Sequence, residues 1–249
     1  MGTAWMTRWS GLRAPAAAAD AGLTAPTAVK VWLGRAVTAA RDLNGDGDAD
    51  AAVGGSGYNH GDSAVGIYLG GTAGLSASPD VSLEDAATDA TYSFALSGPG
   101  DLDEDQDLVI AAPYASDETG HLYIYAGAEE GPSTDPEAVV EGPRTARRSA
   151  STSAGDVNGD GYDDLAIGAS TDEEYVYYGA VHVYHGSASG LSTTAALTLE
   201  ETSSAAYDGA FGDSLASRSD IDGDGSADLV VGEPEYSRAH GGRVHPRCR

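Results

Sequence analysis

The feature that most constrains this sequence is a cluster of acidic residues that recurs four times, each time followed by a short apolar run. The clusters span residues 42–50, 101–107, 156–164 and 220–228 and hold 17 of the 39 Asp and Glu residues. They begin 59, 55 and 64 residues apart. A period of about 60 residues is typical of repeat architectures such as propellers and solenoids, in which one structural unit recurs along the chain.

Each unit continues in the same way after its acidic cluster. The apolar run ends at small or turn residues, and an alternating stretch such as Val-His-Val-Tyr at 181–184 follows. Alternation with β-branched and aromatic residues predicts a half-buried strand. A Gly-Leu pair at 190–191 then precedes another short strand at 197–199. We therefore predict an all-β fold built from blades of four antiparallel strands, as in a β-propeller.

The repeat also predicts how the chain is divided. Residues 1–20 are expected to be unstructured, residues 21–245 to form the repeat segment, and residues 246–249 to form a basic tail after Pro246 interrupts a strand. The units cover about 32–90, 91–147, 148–208 and 209–245, and 21–31 resembles the outer strand of a preceding blade. Because this is about three and a half blades, we expect a partial propeller. A longer protein, a ring of two copies, or closure through the strand at 27–31 would complete it.

Composition excludes several classes of function. The net charge of −26 would repel a nucleic acid. A single cysteine, Cys248, rules out an intrachain disulfide and a multi-cysteine zinc site. No apolar run is long enough to cross a membrane, and residues 1–20 lack the apolar core of a signal peptide. The acidity instead calls for a positive counterpart, and a hard cation is the first candidate.

Three of the clusters share one nine-residue pattern. Oxygen-bearing side chains occupy positions 1, 3, 5 and 9, and glycine occupies positions 4 and 6. Calcium takes 6 to 8 oxygen ligands in irregular geometry, and the backbone carbonyl at position 7 would supply another, as in an EF-hand. The predicted calcium ligands are Asp42, Asn44, Asp46, Asp48 and Asp50; Asp156, Asn158, Asp160, Tyr162 and Asp164; and Asp220, Asp222, Asp224, Ser226 and Asp228.

The alternative is that Asp, Asn and Gly simply form turns, but three copies of the same oxygen positions favour metal binding. The second cluster is two residues shorter and has lost both glycines. It is a degenerate fourth site whose candidate ligands are Asp101, Asp103, Asp105 and Asp107. We therefore expect three Ca²⁺ sites and a fourth whose loop geometry must differ.

These residues resemble the FG-GAP repeats of the integrin alpha-subunit β-propeller, over roughly residues 21–245. The signature joins a Phe-Gly strand, a D-x-D/N-G-D-G-x-x-D-L calcium loop and a Gly-Ala-Pro strand end. Phe211-Gly212 matches its first part literally, Leu33-Gly34 and Phe94-Ala95 match it partly, and Ser149-Ala150 keeps neither residue. Ala111-Ala112-Pro113 and Gly168-Ala169-Ser170 come close to the strand end. The resemblance implies that the loops join the first two strands of each blade and that a complete propeller has seven blades.

The resemblance also implies an extracellular or cell-surface module for recognition or adhesion, with structural calcium and a protein or glycan ligand. Two alternatives are an accessory propeller of a secreted hydrolase and a glycan-binding lectin. For the lectin, Tyr175, Tyr177 and Tyr178 are the contact candidates, whereas the strand tyrosines (Tyr68, Tyr123, Tyr125 and Tyr184) are more simply packing residues. We expect no enzymatic activity from this chain, because its histidines (His60, His121, His182, His185, His240 and His245) form no recognisable catalytic or zinc motif. An incomplete propeller would also tend to self-associate.

Overall fold

The structure is a computed structural model, and it describes eleven stretches of the chain. These are residues 22–24, 31–57, 63–84, 95–103, 105–113, 115, 120–141, 149–169, 179–200, 210–234 and 243–247. Within them, no helix is long and apolar enough to cross a lipid bilayer. The predicted N-terminal segment at 1–20, most of the predicted outer strand at 21–31, and Tyr175, Tyr177 and Tyr178 lie outside the described residues.

The described residues form fifteen β-strands in four antiparallel sheets. Three sheets have four strands in sequential order, and the fourth has three. This confirms the all-β fold of antiparallel blades. The first blade comprises β1 (Val31–Arg41), β2 (Asp50–Gly57), β3 (Ala64–Tyr68) and β4 (Val81–Glu84); the second β5 (Ala95–Asp101), β6 (Gln106–Ala112), β7 (His121–Ala126) and β8 (Ala138–Glu141); the third β9 (Ser149–Gly155), β10 (Asp164–Ala169), β11 (Ala180–Tyr184) and β12 (Leu197–Glu200); and the fourth β13 (Ser214–Ser219), β14 (Asp228–Glu233) and β15 (Arg243–Arg247).

The second strand of an interior blade is buried on both faces. All six residues of β10 are buried, and in β6 only the first residue is partly exposed. A strand between two neighbouring sheets has no solvent face, so its sequence is a continuous apolar run rather than an alternating one. This explains why the apolar runs after the acidic clusters do not alternate, whereas β7, at the next position in the blade, does.

Apolar cores lie between successive blades. The first core joins residues of blades one and two, among them Leu43, Ile67, Leu96 and Ile110; the second joins blades two and three through Leu102, Val109, Ile124, Leu165 and Ile167; the third joins blades three and four through Val181, Val183, Phe211, Leu229 and Val231. The first strands also follow one another, since β1 contacts β5, β5 contacts β9 and β9 contacts β13. Each blade therefore shares an apolar core with its neighbours, as expected for a repeat architecture.

The last described strand continues through Pro246 and does not stop before it. β15 pairs with β14, and Pro246 lies opposite Val230. β15 is the outer strand of its three-stranded sheet. A proline is tolerated in such a strand because its missing N–H can face away from the ladder. The strand thus extends two residues past the boundary predicted at residue 245.

Segment 22–24 lies against the first blade, next to where a preceding blade was predicted. The Thr24 N–H donates to the carbonyl of Ala77 at 2.9 Å, and the Tyr68 hydroxyl donates to the carbonyl of Thr24 at 2.7 Å. The assignment of residues 21–31 to an outer strand stays a prediction, because most of that segment is outside the described residues.

Candidate metal centre

The first aspartate of each nine-residue loop organises the turn that follows it. In the third blade, Asp156 Oδ1 accepts the N–H of Gly159 at 2.6 Å and that of Asp160 at 3.0 Å, and its Oδ2 accepts the N–H of Gly161 at 2.9 Å. Asp220 makes the equivalent three bonds in the fourth blade, and Asp42 makes two of them in the first. The same carboxylate is therefore fixed inside all three loops.

Positions 3 and 5 are fixed by the same kind of bond. The side-chain oxygen of Asn158 accepts the N–H of Asp160 at 2.9 Å, and Asp160 Oδ1 accepts the N–H of Tyr162 at 3.0 Å. Both bonds recur in the first and fourth loops. The oxygens of positions 1, 3 and 5 are thereby turned towards one side of the loop. In the fourth loop, ligand atoms of Asp220, Asp222 and Asp224 all lie within 4.8 Å of one another.

The two glycines of each nine-residue loop allow the backbone to adopt this tight turn. Gly159 and Gly161 have φ angles of 77° and 101°, and the glycines of the other two loops have φ between 72° and 98°. Only glycine adopts this left-handed region at little cost. The repeated Gly at positions 4 and 6 is therefore a requirement of the backbone.

The aspartate at position 9 has a further role that the sequence did not reveal. Asp164 is fully buried; its Oδ2 accepts the N–H of Val157 at 2.9 Å, and its Oδ1 accepts the N–H of Gly186 at 3.0 Å. Asp50 bridges Leu43 and Gly70 in the same way, and Asp228 accepts the N–H of Ile221. This carboxylate ties the start of its loop to the end of the third strand in the first and third blades. Burial raises the pKa of Asp50 and Asp164, and these backbone hydrogen bonds oppose that shift.

The shortened loop of the second blade keeps the buried aspartate but not the turn. Asp107 Oδ2 accepts the N–H of Leu102 at 2.9 Å, as its counterparts do in the other blades. Burial raises the pKa of Asp107 to about 8. Desolvation and the nearby charges of Asp103 and Asp105 raise the pKa of Glu137. Among the described residues, the close carboxylate cluster is the one of the fourth loop, and none is found in the second.

The donor set fits a hard divalent cation. The three complete loops present carboxylate and amide oxygens with neither sulfur nor imidazole among them, and such oxygens are the ligands that calcium takes. Hydrogen bonds from the N–H of Asp48 and the side chain of Asn44 lower the pKa of Asp46, which favours the ionised form of this carboxylate. A bound cation would relieve the repulsion between the converging negative charges. The ligand assignments themselves stay predictions.

Neighbouring loops touch through their backbones. The N–H of Asp163 donates to the carbonyl of Asp101 at 2.7 Å, and the N–H of Ala227 donates to the carbonyl of Asp156 at 2.8 Å. The carbonyl at position 2 is also used: Leu43 accepts from the N–H of Ala128, and Leu102 from that of Ser187, both at 2.9 Å. The loops therefore lie side by side along one edge of the blades.

A glycine after the third strand permits this approach, and sequence reasoning missed it. A Cβ added at Gly127 would lie 2.6 Å from the carbonyl oxygens of both Gln106 and Leu43. At Gly186 it would overlap the carbonyl oxygen of Asp163 and lie 2.8 Å from that of Leu102. The signal was present, because Gly70, Gly127 and Gly186 all stand two residues after a strand tyrosine.

The described histidines and tyrosines do not converge on a site. The Nδ1 of His182 lies 3.1 Å from Thr198 Oγ1, whereas that of His185 lies 3.1 Å from Asp164 Oδ1. His121 contacts Tyr123 edge to face. The packing role predicted for the strand tyrosines is confirmed at Tyr68, Tyr125 and Tyr184, which are buried. His60 and His240 lie outside the described residues, and His245 is placed only as a member of β15.

The Phe-Gly pair expected on a strand lies instead in the turn before β13. Phe211 is buried between blades three and four, and the Gly212 N–H donates to the carbonyl of Gly232 at 3.0 Å. Gly212 has φ 89° and packs its backbone directly on Gly168 of the third blade. The pair therefore joins two blades at a point where neither glycine has room for a side chain.

Comparison with known proteins agrees with this arrangement. The FG-GAP repeat family matches residues 150–184 and 211–245. Integrin alpha-6 of Gallus gallus is 32% identical over 145 residues, 55% of this chain and 13% of that protein. Human integrin alpha-6 is 34% identical over 139 residues, and integrin alpha-PS2 of Drosophila melanogaster is 35% identical over 160, covering 12% and 11% of those proteins. The matches thus span about an eighth of these relatives' length. The FG-GAP repeat model therefore matches two segments of the chain, and the chain is similar to integrin alpha subunits over about half of its length.

Proposed function

We propose that this chain is a calcium-stabilised module of an extracellular recognition or adhesion protein. The observation that supports the proposal is the threefold repetition of one hydrogen-bonded loop, in which the oxygens of positions 1, 3 and 5 converge. The similarity to integrin alpha subunits supports the adhesion role. The ligand would be an extracellular protein or a glycan.

Calcium would be held by the side chains at positions 1, 3 and 5 and by the carbonyl at position 7. The ion would supply positive charge to a set of carboxylates that the fold brings together. The aspartate at position 9 would be shared between the ion and the backbone N–H groups that it already accepts. With a Kd of about 0.1 mM and about 2 mM free calcium, each site would add about 1.8 kcal/mol to the free energy of unfolding.

Thermal unfolding followed by circular dichroism tests the metal role. We expect a higher midpoint in calcium than in magnesium or a chelator. The diagnostic variant carries Asp46→Asn, Asp160→Asn and Asp224→Asn, because asparagine keeps the Oδ1 that accepts the N–H of position 7 but removes the charge. It should lose the calcium response and, in chelator, be slightly less stable than wild type, because the Oδ2 atoms that accept the side-chain N–H of Asn44 and Asn158 are replaced by amide groups that cannot accept it.

A matched variant controls for the change in net charge. Glu84→Gln, Glu129→Gln and Glu141→Gln remove the same three charges from exposed positions outside the loops. This variant should keep the full calcium response. If the loops are merely turns, the midpoint will be the same in calcium and in chelator for all three proteins, and the calcium assignment fails.

Calcium affinity tests the extracellular assignment. Extracellular modules bind calcium with Kd values of about 10⁻⁴–10⁻³ M, whereas cytosolic sensors bind at about 10⁻⁷–10⁻⁵ M. Isothermal titration calorimetry should give the weaker range. Submicromolar binding would contradict an extracellular role while leaving the metal site intact. Cell-attachment and glycan-array assays in calcium and in chelator would then distinguish a protein ligand from a glycan.

A further inference from the structure

The two end faces of the row of blades each expose an apolar side chain whose described equivalents between blades are buried or partly buried. Ile221, at position 2 of the fourth loop, is 59% exposed, whereas Leu43 and Leu102 at the same position are 1% exposed. In the first blade Val37 is 39% exposed, whereas Leu96, at the same register position of the second blade, is 8% exposed. The difference arises because position 2 is covered by the following blade and the Leu96 position by the preceding one.

The two end faces also carry complementary backbone groups: carbonyl acceptors on the fourth blade and N–H donors on the first. Two kinds of backbone hydrogen bond join neighbouring blades. The carbonyl at position 1 of a loop accepts the N–H at position 8 of the next loop, and the carbonyl at position 2 accepts the N–H of the residue that follows the glycine after the third strand of the next blade. On the fourth blade, the corresponding carbonyls belong to Asp220 and Ile221. On the first blade, the corresponding N–H groups belong to Ala49 and Gly71.

The first blade also has the recess that receives a position-2 carbonyl. At Gly127 and Gly186, a Cβ would meet the carbonyl of the preceding loop. At Gly70 the three atoms nearest to such a Cβ all belong to Ala49 of the same blade, and a Cβ at Gly71 would meet nothing within 4 Å. Segment 22–24 lies beside this face, at Ala77 and Tyr68, and leaves Val37 exposed.

We propose that the fourth-blade face of one copy of this chain docks on the first-blade face of a second copy. Both halves of the repeated blade-to-blade interface are present on one molecule, and the contact would continue the interface already seen between its blades. The association is head to tail, so each copy contributes two different surfaces. Its contacts are apolar and backbone groups, and because Ile221 lies within the fourth proposed calcium loop, association is measured both with and without calcium.

Sedimentation velocity across a concentration series, in calcium and in chelator, tests this proposal. The wild-type chain should associate, and Ile221→Glu alone or Val37→Glu alone should be monomeric. An equimolar mixture of the two variants should form a dimer, because one copy keeps an intact fourth-blade face and the other an intact first-blade face. This recovery on mixing is specific to a head-to-tail contact.

Val139→Glu and Leu197→Glu are the matched controls. These side chains are 44% and 43% exposed on the outer strands β8 and β12, away from both end faces, and should leave association unchanged. Circular dichroism should show that all variants stay folded. A wild-type chain that is monomeric at its highest soluble concentration would overturn the proposal, as would association that Ile221→Glu abolishes but Val37→Glu does not affect. Either result would leave the calcium proposal untouched.

Discussion

The loops of the second and third blades end alike but begin differently. In both, a buried aspartate accepts the N–H of the loop's second residue at 2.9 Å: Asp107 from Leu102, and Asp164 from Val157. Both also offer the carbonyl of their first residue to the next blade. Only the third of these two loops has a pair of glycines with positive φ, and in that loop the backbone N–H groups of these glycines donate to Asp156.

This difference teaches that one loop has two separable parts. The buried aspartate and the loop carbonyls join strands and blades, and they persist in the second blade although its loop is two residues shorter. The glycine-containing turn shapes the oxygen cluster, and it is absent from that blade. A blade can therefore lack the glycine-containing turn and still pack between its neighbours.

The largest effect is expected where the two blades are alike, at the glycine after the third strand. Gly127→Ala and Gly186→Ala should each lower the free energy of unfolding by about 3 kcal/mol, because the new Cβ would collide with backbone carbonyl oxygens that cannot move aside. Urea denaturation in calcium measures the loss. Gly71→Ala, whose Cβ would meet nothing within 4 Å, is the control and should change stability by less than about 0.5 kcal/mol. Equal stability of all three variants would contradict the proposed blade contact.

The buried aspartates should matter in both blades without any ion. In chelator, Asp107→Ala and Asp164→Ala should each cost about 2–3 kcal/mol, because each leaves a buried N–H group without its acceptor. Asp105→Ala, at an exposed position of the second loop, should cost less than about 0.5 kcal/mol. Chemical denaturation in chelator separates the two classes. A cost that appears only when calcium is present would mean that these aspartates act solely through the metal.

Exchanging the loops should move an ion site from one blade to another. Replacing residues 101–107 by the sequence of residues 156–164 should create a fourth calcium site and add about 1.8 kcal/mol in about 2 mM calcium. The reverse exchange should remove one site and leave the chain folded. Calorimetric titration gives the number of sites, and unfolding in calcium and chelator gives the energy. A graft that binds no additional ion would show that the nine-residue sequence is insufficient outside its own blade.

The smallest effect is expected at position 7, where the ligand is predicted to be the backbone carbonyl. Asp48→Ser should leave the calcium stoichiometry unchanged and alter stability by less than about 0.5 kcal/mol, since the Asp48 side chain is exposed. Tyr162→Ser tests the same position in the third loop. Loss of an ion in either variant would assign the ligand to the side chain and would break the equivalence of the three loops.

Much of this arrangement was predictable from local patterns. The spacing of Asp, Asn and Gly within nine residues predicted the loops. The apolar run and the alternating stretch predicted the second and third strands of each blade. Both signals are contained in short segments, because turn chemistry and strand alternation are local. The antiparallel blades and the FG-GAP resemblance were confirmed on that basis.

Most of the unpredicted features depend on residues far apart in the chain. Asp164 meets the N–H of Gly186 only after β10 and β11 have paired, and Leu102 meets Ser187 only after two blades have packed. The Phe211-Gly212 pair was expected on a strand, but contact with the third blade places it in a turn. Such contacts leave no periodic signal, although the recurrent glycine after the strand tyrosine marked one of them.

Calcium stoichiometry tests the central claim, that the glycine-containing turn of each nine-residue loop forms an ion site and that the shortened loop, which lacks this turn, does not. By isothermal titration calorimetry, the wild-type chain should bind three ions. Asp46→Asn, Asp160→Asn and Asp224→Asn should each leave two, while Asp103→Asn in the shortened loop should leave three. Binding of no calcium by the wild-type chain would contradict the claim, and so would loss of an ion from the Asp103→Asn variant.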